Sequence, residues 1–128
     1  MILGIGNDIC NITRIEEAVA RHGDKFYTKI LTAREQSQCD ARHSQTAYLA
    51  KRFAAKEAIY KAISQHVSPK PSWHDAEILN DADGKPIVTL SKRVQDALDK
   101  FANAPVMISL TLSDDAPFAF AVCIASTK

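Results

Sequence analysis

The sequence predicts an α+β fold, and three features predict it. Residues 46 to 64 are rich in helix formers and hold no Gly or Pro, which marks one long helix. Residues 73 to 90 and 106 to 124 carry short apolar or alternating runs around turn-rich links, which marks antiparallel hairpins. A short apolar strand at the start is followed by capped amphipathic helices, so helices and strands are mixed without a regular alternation.

The chain of 128 residues, 46% hydrophobic and 24% charged, suits one globular core, so residues 1 to 128 are expected to form a single domain. No apolar run approaches the ~20 residues that span a bilayer. The start, Met1 to Gly6, is cut off by Asp8 without a basic leader or cleavage pattern, so a soluble, cytoplasmic protein with no membrane partner is expected. Cys10, Cys39 and Cys123 are odd in number and lack ligand spacing, in keeping with a reducing compartment. Residues 1 to 70 hold 11 Lys/Arg against 7 Asp/Glu, and residues 71 to 128 hold 5 against 8. That asymmetry is too mild for a nucleic-acid binder, but it can steer a small acidic partner.

Ile2 to Ile5 reads as a buried strand, with Gly4 and Gly6 permitting close backbone approach and Asp8 falling at the strand end. Thr13 to Glu16 fits a capping box, opening a helix with an Ile12, Ile15, Val19 stripe that ends near Gly23. Arg14, Arg21 and Lys25, at spacings of seven and four, are expected to share its other face. A second box, Thr32 to Glu35, opens a polar helix to about His43, and the long helix follows from about Thr46 to Ser64. Ser68 to Ser72, with two prolines, is a stiff connector. Trp73 to Leu79 and Pro86 to Leu90 read as a hairpin around a turn in which Gly84 is available for positive φ. Ser91 caps a helix with Val94, Ala97, Leu98 and Phe101 on its core stripe, ending before Pro105. Val106 to Leu112, a turn at Ser113 to Pro117, and an alternating strand from Phe118 complete the chain, with small residues suggesting that both sheet faces are covered. The four histidines form no ligand set and read as surface residues.

The long helix poses the functional question. At about 100° per residue, Arg52 and Lys56 point one way, while Glu57 stands roughly 140° round from Arg52, with Lys61, among Ala50, Phe53, Ala54 and Tyr60. A carboxylate in an apolar stripe must be neutralised, paired or bound to a metal. Glu57 and Lys61 suit a surface ion pair one turn apart. Alternatively, Glu57 with Asp8 supplies two hard oxygen ligands for Mg2+, leaving Lys61 for phosphate oxygens. Asp8 by itself equally suits a cap on local N–H groups, and Arg52 and Lys56 are either solvated charges or further phosphate contacts.

The segments Gly4-Ile5-Gly6-Asn7-Asp8-Ile9 and Arg52-Phe53-Ala54-Ala55-Lys56-Glu57-Ala58-Ile59-Tyr60-Lys61-Ala62, supported by Arg14-Ile15-Glu16 and Leu79 to Pro86, resemble the small bacterial 4'-phosphopantetheinyl transferases, the holo-acyl-carrier-protein synthases. The resemblance runs nearly end to end. It implies an α+β protomer whose small, mostly antiparallel sheet packs on the long central helix, assembled as a homotrimer with coenzyme A between subunits. It implies that Asp8 and Glu57 hold Mg2+ with the coenzyme diphosphate and that Arg52, Lys56 and Lys61 neutralise phosphate. Gly84, Lys85 and Pro86 then line the coenzyme pocket, and Arg14, Arg21 and Lys25 dock the acidic helix of an apo acyl carrier protein.

The implied reaction is attack of a carrier serine hydroxyl on the phosphorus bearing pantetheine, with 3',5'-ADP leaving. Glu57 is the candidate to accept the serine proton, directly or through a water, and Lys61 to absorb charge on the diphosphate. The chain departs from the family at Ile63-Ser64-Gln65-His66, where relatives commonly carry Gly-Thr-Gly, at Asp114 in place of a His, and at Asn11 in place of an acidic residue. These departures fit a specialised copy serving a dedicated carrier protein, in fatty-acid or secondary-metabolite synthesis. They equally fit a weakly active or non-catalytic paralogue that binds an acidic helical carrier protein.

Overall fold

The computed structural model describes residues 1–40 and 45–128. In chain order these form β1 (Ile2–Asn11), α1 (Ile12–His22), α2 (Asp24–Ile30), α3 (Ala33–Asp40), α4 (Gln45–Ile63), a short 3-10 turn (Ser64–His66), β2 (Ala76–Asn80), β3 (Pro86–Leu90), α5 (Lys92–Ala102), β4 (Val106–Asp115) and β5 (Phe118–Thr127). The expected helix end near His43, and the surface placement of His43, lie outside the described residues.

The mixed α+β class holds, with two antiparallel sheets: three strands in the order β1-β5-β4, and the pair β2-β3. The long helix α4 lies across β1 and β5, and small residues decide how closely. Ala54, Ala55, Ala58 and Ala62 of α4 and Ala119, Ala121, Cys123 and Ala125 of β5 are all fully buried. A methyl group added to Gly4 would overlap the Ala62 carbonyl oxygen, and one added to Gly6 the Ala58 carbonyl oxygen. The glycines of β1 therefore serve close approach to the helix, as the sequence suggests.

The other face of this sheet is bare. Ile5 and Ile9 of β1, Phe118 and Phe120 of β5, and Met107 of β4 are exposed large apolar residues. Register brings Ile5 beside Ile124 and Ile9 beside Phe120, so these side chains form one patch. The expectation that both sheet faces are covered fails within the protomer.

Several local expectations are corrected by long-range packing. β1 runs on to Asn11, paired with Phe118 of β5, so Asp8 lies inside the strand instead of at its end. The first helix is capped by Asn11, whose side chain accepts from Thr13 N at 2.9 Å, and the Thr13 to Glu16 box is not used. Gly23, at φ 58°, ends α1, and α2 begins at once, which puts Lys25 on a separate helix from Arg14 and Arg21. β2 starts at Ala76 because Asp75 folds back to accept from Ser72 N at 2.7 Å. Phe101 is exposed and stacks on His66 with ring centroids 4.0 Å apart, so His66 is half-buried and not a free surface residue. The second capping box forms reciprocally: Thr32 N donates to Glu35 Oε1 at 2.9 Å and Glu35 N to Thr32 Oγ1 at 3.3 Å. Ser91 caps α5 by accepting from Val94 N, and the helix ends at Asn103 before Pro105.

Candidate active site

Close packing of α4 on β1 brings Asp8 and Glu57 to one cleft of about 400 Å³, lined also by Ile9, Asn11, Arg14, Ile15 and Phe53. Asp8 projects from the same strand face as Gly4 and Gly6, two residues past the point where Gly6 meets the helix backbone. Glu57 comes from the half-open stripe of α4 that also carries Phe53 and Tyr60, both packed on Trp73. Phe53 and Trp73 stack at 5.2 Å, and the Tyr60 hydroxyl donates to Ser72 O, which fixes that flank.

The carboxylates feel one another. Partial burial first, and then the Asp8 charge, push the Glu57 acid up from its ordinary value, while Lys61 pulls the other way. Lys61 does not form the one-turn ion pair with Glu57. Its ammonium crosses to β1, donating to Asn7 O at 2.9 Å and Asp8 Oδ1 at 3.2 Å. Two carboxylates lining one cleft, only one of them held by a lysine, are a donor set that suits a hard divalent ion completed by substrate oxygens and water. Among the described residues no group of three or more His, Cys, Asp or Glu comes together, so the protomer itself offers no closed cage.

The other expected site residues divide. Arg14 lines the cleft and is exposed, Arg21 is exposed near the end of α1, and Lys25 is exposed on α2. Arg52 and Lys56 overturn the expected sense of the helix wheel: both are buried, while Glu57 and Lys61 face outward. The physical reason is that α4 is apolar on nearly all sides, so periodicity alone gives it no outward direction, and long cationic stems can run inside where acceptors wait.

Lys56 finds all its acceptors within the protein. Its ammonium donates to Ile30 O at 2.6 Å, Glu35 Oε1 at 2.7 Å and Trp73 O at 2.8 Å. With three protons so committed, it has none for a coenzyme phosphate. Burial drives its pKa down, against the pull of Glu35.

Arg52 differs. It donates to Asn80 Oδ1 at 3.0 Å and lies 4.3 Å over the Tyr48 ring, yet its buried Nε has no partner and no carboxylate pairs with it among the described residues. Gly84, Lys85 and Pro86 sit at the tip of the β2-β3 hairpin, where Gly84 takes φ 81° and Asp81 Oδ1 accepts from Lys85 N. None of the three lines the Asp8/Glu57 cleft.

Sequence reasoning missed Asn7, whose carbonyl anchors Lys61, and the apolar wall of Ile9, Ile15 and Phe53. Asn7 carried no signal, since its contribution is a main-chain carbonyl. Phe53, one turn before Glu57, was visible as its neighbour.

The chain is similar to known proteins over nearly its whole length. The family model described as the 4'-phosphopantetheinyl transferase superfamily matches residues 4–123. A holo-[acyl-carrier-protein] synthase of Protochlamydia amoebophila is 43% identical over 122 residues, covering 95% of this chain and 98% of the relative. The solved holo-[acyl-carrier-protein] synthase of Neisseria meningitidis superposes with a TM-score of 0.88 at 34% identity, over 99% of this chain and 100% of that one. A holo-(acyl-carrier-protein) synthase of Bacillus anthracis, solved in complex with CoA (3',5'-ADP), gives a TM-score of 0.80 at 33% identity, over 100% of this chain and 99% of that one.

Proposed function

The chain belongs to the 4'-phosphopantetheinyl transferase superfamily, and on that premise we propose that it transfers the 4'-phosphopantetheine group of coenzyme A to a serine of an apo acyl carrier protein. The serine oxygen attacks the phosphorus that bears pantetheine, the bond between the two phosphates breaks, and 3',5'-ADP departs. The observation that carries this reading is the meeting of Asp8 and Glu57 at one open cleft, with the Lys61 ammonium on Asp8.

Asp8 and Glu57 hold Mg2+ in this reading, and the ion, when bound, supplies Lewis-acid stabilisation of charge on the diphosphate. Glu57 accepts the serine proton, a task suited to a carboxyl made less acidic by its surroundings. Lys61, half exposed on a flexible stem, contacts phosphate. Arg52 contributes to coenzyme binding through its buried guanidinium, which pairs with no carboxylate among the described residues and leaves Nε without a hydrogen-bond partner there. Gly84, Lys85 and Pro86 reach the coenzyme from a hairpin outside the Asp8/Glu57 cleft. Lys56 is withdrawn from the coenzyme contacts because its donors are spent inside the fold.

The carrier docks through its acidic helix against the exposed cations Arg14 and Arg21 of α1 and Lys25 of α2, of which Arg14 lines the cleft. The bare sheet face around Ile5, Ile9, Phe118 and Phe120 supports self-association, read here as a homotrimer. The whole chain is read as one transferase domain working in the cytoplasm. Cys10 and Cys123 are free, buried thiols, which suits a reducing compartment. Among the described residues no helix is long and apolar enough to cross a membrane.

The test is to incubate the protein with apo carrier proteins, coenzyme A and Mg2+ and to weigh the carriers by mass spectrometry. Gain of one phosphopantetheine on a serine is expected, and it should vanish when a chelator removes the metal. No gain on any of several carriers, with carrier binding intact, would assign the chain to the non-catalytic paralogues.

A further inference from the structure

We infer that Lys61 is a built-in counter-cation that holds Asp8 while the site is empty and is drawn off by the coenzyme diphosphate, so that metal and coenzyme bind as a mutually dependent pair. This rests on the assignment of Asp8 and Glu57 as the metal-holding carboxylates.

The geometry is specific. An i to i+4 placement offers Lys61 an easy partner in Glu57, yet the ammonium leaves its own helix and reaches β1, where Asn7 O and Asp8 Oδ1 take two of its protons. Glu57 has no hydrogen bond or ion pair among the described residues. A metal ion on Asp8 therefore competes with the ammonium for that carboxylate, at Oδ1 directly and at Oδ2 through charge repulsion, while its second carboxylate is ready. The two partners differ in freedom: the Asp8 side chain is 16% exposed and fixed on a strand, whereas the Lys61 side chain is 52% exposed on four rotatable bonds. Lys61 is the member that moves.

A metal arriving by itself breaks the Lys61–Asp8 bond without replacement. A metal arriving with a diphosphate gives the ammonium new oxygens to bind. The cost of displacement thus falls on metal binding when the coenzyme is absent, and by linkage each ligand strengthens the other equally. Arg14 supplies an internal comparison, because it lines the same cleft as an exposed cation but forms no ion pair with Asp8.

The experiment measures Mn2+ affinity by electron paramagnetic resonance for the wild type, Lys61→Met, Lys61→Gln and Arg14→Met, with and without coenzyme A, after correction for Mn2+ held by coenzyme in solution. Without coenzyme, both Lys61 variants should bind Mn2+ roughly three- to fivefold more tightly than wild type, the scale of a partly exposed ion pair. Coenzyme A should tighten Mn2+ binding in the wild type, and that enhancement should shrink by about the same factor in the Lys61 variants. Unchanged or weaker Mn2+ binding in the Lys61 variants overturns the inference. So does equal tightening in Arg14→Met, which would point to the general field of the cleft. Absence of Mn2+ binding in all four proteins, with coenzyme present, would instead bring down the carboxylate site beneath it.

Discussion

Lys56 Nζ and Glu35 Oε1 lie 2.7 Å apart with both side chains fully buried. This pair ties α4 to α3 and, because Glu35 Oε2 also accepts from Ile78 N at 2.9 Å, to β2. Neither charge can be removed singly without stranding the other in a medium of low polarity. Lys56→Met should therefore destabilise the fold by about 3 to 5 kcal/mol in urea unfolding, and the double variant with Glu35→Gln should recover part of that loss. A stable Lys56→Met protein with weakened coenzyme A binding would restore Lys56 to the phosphate contacts.

Gly6 should tolerate no side chain. Its missing Cβ leaves room for the Ala58 carbonyl, a backbone atom that cannot rotate away. Gly6→Ala is expected to cost about 3 kcal/mol or more in thermal or urea unfolding, at the upper end of overpacking effects. Any folded fraction should bind metal poorly, because Asp8 follows two residues later on the displaced strand. Wild-type stability in this variant would show that helix and strand are not held at this distance by the glycines.

The contrast between Gly6 and Lys56 marks what the sequence makes legible. Gly4, Gly6 and the alanines of α4 announce close packing through their size, and the Thr32 to Glu35 box announces a cap through local spacing. Asp8 and Glu57 were found as a possible pair, though with Asp8 wrongly at a strand end. β1 extends to Asn11 through pairing with a strand more than a hundred residues away, and no local pattern encodes that. The same remote pairing disabled the Thr13 to Glu16 box by making Asn11 the cap. The burial of Arg52 and Lys56 was hidden for another reason. Their acceptors, Asn80, Ile30, Glu35 and Trp73, come from four separate places in the chain, and a helix apolar on most sides offers no internal rule for choosing between them.

The bare sheet face makes a prediction about assembly. Phe120 lies at its centre strand beside Ile9, and a charge placed there would be buried by any subunit seated on the patch. Phe120→Asp should leave the melting temperature of the protomer nearly unchanged, since the side chain is exposed, but should shift sedimentation from the proposed trimer to monomer. Retention of the trimer would place the interface elsewhere.

Asp75 gives a pH dependence with a defined sign. Burial works to raise its pKa, but hydrogen bonds from Ser91, Ser72 and Arg93 overcome it and hold the acid at about 2, below its ordinary 3.8. A carboxyl whose pKa is depressed on folding contributes stability that is complete above the unfolded value and is lost as pH falls toward the folded one. The stability difference between wild type and Asp75→Asn should therefore be full near neutrality and shrink between about pH 4 and pH 2. Thermal melts across that range would measure it, and a difference that stays constant down to pH 2 would remove Asp75 as its source.

Glu57 carries the chemical reading and receives the sharpest test. Gln keeps the size of the side chain but can neither accept a proton as a carboxylate does nor supply an anionic ligand. With saturating Mg2+ and coenzyme A, Glu57→Gln should lower turnover on an apo carrier protein by about a hundredfold or more, the scale of general-base loss. The side chain is half-buried and makes no ion pair among the described residues, so the fold should survive the change and the melting temperature should stay near that of wild type. A lowered turnover that is restored by Mg2+ raised well beyond the level that saturates wild type would leave Glu57 as a ligand alone, and normal turnover throughout would hand the proton to another group.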